Sequence, residues 1–435
     1  MVCSGLSNAG RIAMDRQGGK RDMTRCGYRR KMITDKLIRA LPKTDLHLHL
    51  DGSLRESTLI ELARERDVRL PANSVEGLNA LVFKPTYANL EEYLQGFTYT
   101  CAVMQDEEAL ERVAWELAWD NIDEGVRYIE VRFAPQLHMH KGLGVDAVLR
   151  AVDRGLSRAR AEHERSEAVV VHGEPPFRYG IIVCALRYFD EHLSAWYGQL
   201  CGLFPDAPRT TVFAMASLEL ARAAVRVRDD HGVPIVGFDL AGREDGFPAH
   251  EHVEAFAHAH RHFLKKTVHA GEAYGPESIF DAITSLYADR IGHGYHLFSP
   301  DLCGSEVVDP SDYVRRLATY IADRRITLEV CITSNLQTNP DIGDVRNHVF
   351  GRMLDARLSA TLCTDNRLVS HTTVSREVGL AVATFGMDLG QLRNTLIYGF
   401  KRSFYPGPYT EKRSYVREII DYYDAVVAAA VSEPD

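Results

Sequence analysis

The chain has 435 residues, 45% hydrophobic and 26% charged, with a formal net charge of -9. That composition excludes a fibrous or wholly disordered chain and leaves no cationic footprint for nucleic acid or an anionic membrane surface. Residues 1–36 are basic and lack hydrophobic periodicity, so they are expected to form a mobile N-terminal extension ahead of a single domain over 37–430. From Leu37 onward, short β-rich runs alternate with amphipathic stretches. The expected strands are TDLHLHL (44–50), VRYIEVRFA (126–134), YGIIVCALR (179–187), PIVGFDLAG (234–242), KTVHAGE (266–272), DRIGHGYH (289–296), ITLEVCITS (326–334) and ATLCTDN (360–366). Helical periodicity fills the intervals, as in EALERVAWELAWDNIDEG and PSDYVRRLATYIADRR. Eight such units predict an α/β fold closed as a (β/α)8 barrel, with a doubly wound open sheet as the alternative.

The interval between the first two strands, 54–125, is too long for one crossover and predicts inserted helices. Leu90, Tyr93, Leu94 and Phe97 recur there at helical spacing, as core or as a layer over the barrel mouth. SREVGLAVATFGMDLGQLRNTLIYGFKRSF is expected to be helical with a break near Gly386. The eight cysteines form no C-x-x-C pair, and Cys184, Cys331 and Cys363 sit in apolar runs. Together with the lack of a membrane-length apolar run or a secretion signal, this predicts a cytoplasmic protein with free thiols.

Chemistry in a barrel sits where the strands end at the C-terminal face. Polar groups gather at those ends: His47, His49 and Asp51; Asp239 and Gly242; His269 and Glu272; His293; Asp365 and Asn366. His47 and His49, two apart on a strand, share one face. Three imidazoles and one carboxylate suit a borderline cation such as zinc, one per chain, with a position left for water. His47, His49, His269 and Asp365 are the expected ligands. A cation there would acidify its water. His293, between two glycines, suits a base or orienter for that water, and Glu272 suits a protonated acid for the substrate.

TDLHLHLDGSL, IEVRFAPQL, GFDLAGRE, VHAGE, RIGHGYH and TLCTDN, in this order over about 41–404, resemble the adenosine deaminase family of the amidohydrolase superfamily. The resemblance implies zinc-dependent hydrolytic deamination at C6 of a purine nucleoside, with no nucleic-acid or membrane partner. It matches Glu272 to the acid that protonates N1 and His293 to the residue that orients and helps deprotonate the attacking water. It places Gly242 at N3, Asp51 at the ribose end, and Leu90, Tyr93 and Phe97 in a helical lid. Asn366 stands where many members have a second Asp that contacts N7, which opens the way to modified substrates such as methylthioadenosine or aminodeoxyfutalosine. A non-catalytic purine binder is the alternative from another class, since a fold does not by itself guarantee activity. HGE at 172–174 lacks the P-C-x-x-C partner of the other zinc deaminases, and His258 with His262 reads as an exposed helix face.

Overall fold

A computed structural model describes residues 33–432. Most of the extension expected over 1–36 therefore lies outside the described residues; inside its last two positions a helix, Asp35–Ala40, begins, with the Thr34 hydroxyl accepting from the Leu37 N–H. Eight strands follow in sequential order: β1 (Lys43–His49), β2 (Val126–Phe133), β3 (Arg178–Leu186), β4 (Ile235–Ala241), β5 (Lys265–Ala270), β6 (Arg290–His293), β7 (Thr327–Val330) and β8 (Ala360–Leu362). Each pairs in parallel with the next. The ring closes beyond the end of β8, where Leu48 bridges Asp365: the His49 N–H donates to the Asp365 carbonyl and the Asp365 N–H to the His47 carbonyl, both at 2.8 Å. Closure decides for the (β/α)8 barrel, because the open sheet would leave β1 and β8 as edges.

All eight residues of β2 and all seven of β4 are buried, as parallel strands between a packed interior and a helical jacket must be. The last three strands are shorter than their sequence runs. His293 and Asp365 adopt left-handed backbone, with φ of 61° and 62°, which ends extended pairing at those residues. After Val330 the chain turns into a helix, Ile332–Thr338, so the segment containing Ser334 and Asn335 is helical rather than strand.

The insertion after β1 holds five helices: Glu56–Glu65, Val75–Leu81, Leu90–Leu94, Gly96–Val103 and Glu107–Ile122. The last is the crossover helix, and it packs on Val145–Glu164. The break near Gly386 is observed: Gly386 ends the helix Val374–Phe385 at φ 62°, before Leu389–Arg402 begins. Cys184, Cys331 and Cys363 are buried free thiols. Among the described residues no helix is long and apolar enough to cross a membrane.

Candidate active site

Beneath the mouth the barrel interior is ionic. The Arg132 guanidinium reaches Asp239 at 3.0 Å and Glu329 at 2.8 Å, while Arg290 pairs with Glu329 at 2.6 Å and with Glu130. Thr267 adds a hydroxyl donor to Glu329 at 3.0 Å. Burial works against the charge on Asp239 and Glu329, but the neighbouring cations hold both carboxyls far below the ordinary range.

These two carboxylates decide the histidines above them. His47 Nδ1 lies 2.9 Å from Glu329 and His269 Nδ1 lies 3.1 Å from Asp239. An ionised carboxylate only accepts, so each ring carries its proton on Nδ1 and turns an Nε2 lone pair toward the mouth. His47 Nε2 is buried without a hydrogen-bond partner, and His49 Nε2 faces His269 Nε2 at 3.2 Å. Asp365 Oδ1 is 3.4 Å from Nε2 of both His47 and His49, and its other oxygen accepts from the Ser334 hydroxyl at 2.6 Å. The four ligand atoms lie within 4.8 Å of one another. Burial pulls His47 down to about 4 and His49 well below its ordinary value, whereas at His269 the nearby Asp239 outweighs burial and raises it. Three ring nitrogens and an ionised carboxylate oxygen gathered at one point, with burial keeping His47 and His49 neutral, are a donor set that fits a metal cation.

Gly292 permits this crowding, since a Cβ there would fall 2.9 Å from His47 Cε1. His293, next in the chain, is oriented by a relay. The Phe350 N–H donates to His348 Nδ1 at 3.1 Å, so the His348 proton sits on Nε2 and donates to Asn335 Oδ1 at 3.2 Å. The Asn335 amide nitrogen is thereby turned to His293 Nδ1, 3.1 Å away. His293 Nδ1 accepts, which leaves the neutral ring with its proton on Nε2, 3.7 Å from Glu272 Oε1.

Glu272 is held by its backbone. The buried Glu244 carboxylate accepts from the N–H groups of Gly271, Glu272, Ala273 and Tyr274, at 2.7 to 3.1 Å, and from the Ser278 hydroxyl. Burial raises the Glu272 carboxyl; His293 opposes the shift and the Asp365 charge adds to it. Burial thus favours the proton-carrying form of this acid at the cavity wall.

A cavity of about 280 Å³ opens above these groups. It is lined by every residue expected at the site except His47, which lies beneath: His49, Asp51, Leu90, Tyr93, Phe97, Gly242, His269, Glu272, His293, Asp365 and Asn366. Leu90, Tyr93 and Phe97 come from the helices Leu90–Leu94 and Gly96–Val103, so this insertion roofs the mouth. The Asn366 amide donates to the Tyr93 hydroxyl at 2.8 Å, tying floor to roof, while Asn366 Oδ1 and Asp51 Oδ1 are buried without hydrogen-bond partners. Gly242 enters at φ 86°, beyond the reach of most side-chain-bearing residues. His172 and Glu174 lie away from the site, the latter paired with Arg127, and the rings of His258 and His262 meet at a tilt on the outer helix Val253–Arg261 and its end.

Sequence reasoning did not assign roles to Arg132, Glu244, Glu329, Asn335 and His348. Charged residues inside the apolar runs IEVRF and TLEV are a signal for the ionic layer, and TSN at the end of the seventh expected strand puts Asn335 among the polar groups at the mouth without a role; nothing local marks His348.

The adenosine deaminase family model matches residues 42–195 and 207–422. Adenosine deaminase 1 of Streptomyces coelicolor is 37% identical over 385 residues, covering 88% of this chain and 87% of the relative. Adenosine deaminase of Mycobacterium leprae is 37% identical over 388 residues, covering 88% and 95%. Among solved structures, an amidohydrolase from Burkholderia ambifaria with bound Zn superposes with a TM-score of 0.69 at 18% identity, covering 92% of this chain and 96% of that one, a likeness of fold. With a family match over most of its length and this constellation at its barrel mouth, the chain belongs to the adenosine deaminase family and is a hydrolase that deaminates adenosine or a closely related 6-aminopurine.

Proposed function

We propose that His47, His49, His269 and Asp365 hold one zinc ion and that the enzyme converts adenosine, or a close 6-aminopurine nucleoside, to inosine and ammonia. The observation that carries the zinc assignment is the pair of Nε2 atoms of His49 and His269 facing each other at 3.2 Å, beside an Nε2 of His47 without a partner. The buried His47 lone pair with no donor is costly to leave unsatisfied, and a cation among these nitrogens satisfies it. When bound, the ion acidifies a water and so supplies a nucleophile near neutral pH.

The remaining chemistry belongs to the chain. Glu272, whose proton burial favours, gives that proton to purine N1 and makes C6 electrophilic. His293 positions the attacking water; the relay through His348 and Asn335 supports the orienting part of that role, since it keeps a donor on Nε2. The Gly242 backbone meets N3, Asp51 takes the ribose end, Asn366 the N7 edge, and Leu90, Tyr93 and Phe97 exclude water from the reacting ring. Addition at C6 and loss of the 6-amino group as ammonia complete the exchange of nitrogen for oxygen. The partner is a small molecule, and the protein acts in the cytoplasm.

The test is ultraviolet loss of the adenosine chromophore with purified protein, with chelator and with zinc added back. Conversion that stops on chelation and returns with zinc is the expected result. A zinc-loaded protein that leaves adenosine untouched but converts methylthioadenosine or aminodeoxyfutalosine would move the substrate to a modified nucleoside, a second reading that rests on Asn366. His47→Ala and His49→Ala are each expected to lower metal content; unchanged stoichiometry would remove them from the ligand set.

A further inference from the structure

We propose that Asp51, Cys101 and His138 form a second cation site, for a thiophilic divalent ion such as Zn2+ or Cd2+, on the opposite side of His49 from the first cluster. Asp51 follows β1, Cys101 lies on the helix Gly96–Val103, and His138 follows the short turn Pro135–Leu137 after β2. Their ligand atoms lie within 4.8 Å of one another. His49 stands between the two groups, with Nε2 toward His269 and Nδ1 4.0 Å from Asp51 Oδ1.

Two independent observations indicate a ligand. His138 is fully buried, and its Nδ1 lies 3.0 Å from the Met104 carbonyl. A carbonyl only accepts, so the ring proton is on Nδ1 and Nε2 is a bare lone pair; it has no hydrogen-bond partner. Asp51, 3% exposed, also has a buried oxygen, Oδ1, without a hydrogen-bond partner. Two buried acceptors, neither with a hydrogen-bond partner, are costly to maintain. A free thiol beside them completes the imidazole, carboxylate and sulfur set that zinc and cadmium take. The cavity, lined by Asp51 and by Leu137 next to His138, lies beside this group. On binding, Cys101 releases its thiol proton to solvent and ligates as thiolate.

Occupancy has a consequence for turnover. An ion that takes Asp51 withdraws it from the ribose end, so excess zinc is expected to inhibit in competition with nucleoside. That consequence rests on the proposed role of Asp51; the binding does not.

The experiment uses protein carrying one equivalent of zinc, titrated with Cd2+ and followed by the ultraviolet charge-transfer band of cadmium thiolate. The first cluster has no sulfur ligand, so the band reports a thiolate outside it, and its loss in Cys101→Ser assigns it to the second site among the chain's eight cysteines. The wild type should bind one further ion with the band. Cys101→Ser should lose the band, and His138→Gln should bind about tenfold or more weakly, with one-zinc turnover retained in both as the check on folding. No band in the wild type, as a bridging water in place of an ion would give, or a band unchanged in both variants, overturns the site. A band that comes and goes as expected while turnover stays uninhibited keeps the site and overturns the ribose-end role of Asp51.

Discussion

Two layers of the same barrel interior are both buried and both rich in charge, yet they are built on opposite terms. In the lower layer each carboxylate oxygen of Glu130, Asp239 and Glu329 has a donor, from Arg132, Arg290, Thr267, backbone N–H groups or the rings above. In the upper layer His47 Nε2, Asp51 Oδ1 and Asn366 Oδ1 are buried and have none. Folding tolerates a buried polar group most cheaply when it is satisfied, so acceptors left over in one layer mark where something else is to bind. The lower layer holds the upper one in that state, because Glu329 and Asp239 fix the tautomers that aim the lone pairs.

The largest expected effect separates chemistry from structure. Glu272→Gln should cost about 10^2 to 10^4 in turnover, the usual range for a positioned acid. Metal content should stay at the wild-type level and the unfolding midpoint should not fall, since burial already disfavours the Glu272 charge. Near-normal turnover would take Glu272 out of the mechanism; lost metal would place it in the ligand set.

Glu329→Gln probes the other layer. It leaves Arg132 and Arg290 short of a buried counter-charge, expected to cost about 3 to 5 kcal/mol of stability, read from denaturant unfolding. It also takes the negative charge from the acceptor of the His47 Nδ1 proton and turns one of its two oxygens into a donor, which should weaken metal binding about 10- to 100-fold. A stable variant with intact metal affinity would show that the ionic layer does not hold the ligands, and the comparison between layers would fail.

The distinction between the layers explains what was legible in the sequence. His47, His49, His269 and Asp365 could be picked out because each breaks an apolar strand at its C-terminal end, and a barrel brings such ends to one place. The alternation of strand and helix sufficed for the α/β class, and the count of eight pointed to a closed barrel, with the Leu48–Asp365 bridge deciding against the open sheet. Glu244 and Asn335 could not be assigned, because they act through backbone N–H groups and amide orientation that exist only after folding. The run 326–334, just before Asn335, is expected as a strand, but the left-handed turns and the helix Ile332–Thr338 are set by tertiary closure around Asp365 rather than by local propensity.

A smaller effect concerns histidines that the fold keeps neutral. Burial pulls His252 and His348 down to about 3. Each folded value lies below the ordinary 6.5, so the unfolded chain takes up the proton first as pH falls. Their contribution is therefore complete above about pH 6.5 and is lost toward pH 3, at about 1.4 kcal/mol per pH unit for each ring. His252→Gln, outside the site, should reduce the acid slope of unfolding free energy by one ring's share. A slope unchanged by the substitution would mean that His252 titrates alike in both states.

The smallest effect tests whether Asn366 belongs to the upper layer by function as well as by position. Its amide nitrogen donates to the Tyr93 hydroxyl, which also lies 2.8 Å from the Ser370 hydroxyl and can therefore exchange donating for accepting. If Asn366 turns over, Tyr93 donates to its oxygen and the amide nitrogen is free to donate to N7 of a bound purine. One such hydrogen bond is worth about 1 kcal/mol, roughly a fivefold change in kcat/KM. The wild type should therefore prefer adenosine over its 7-deaza analogue by about that factor, and Asn366→Ala should erase the preference while slowing both substrates. Asn366→Asp should change the ranking of 6-aminopurine nucleosides, because a carboxylate must be protonated before it can donate. A 7-deaza preference that survives Asn366→Ala would assign N7 to another donor and leave the orphaned Asn366 oxygen as a matter of lid packing against Tyr93.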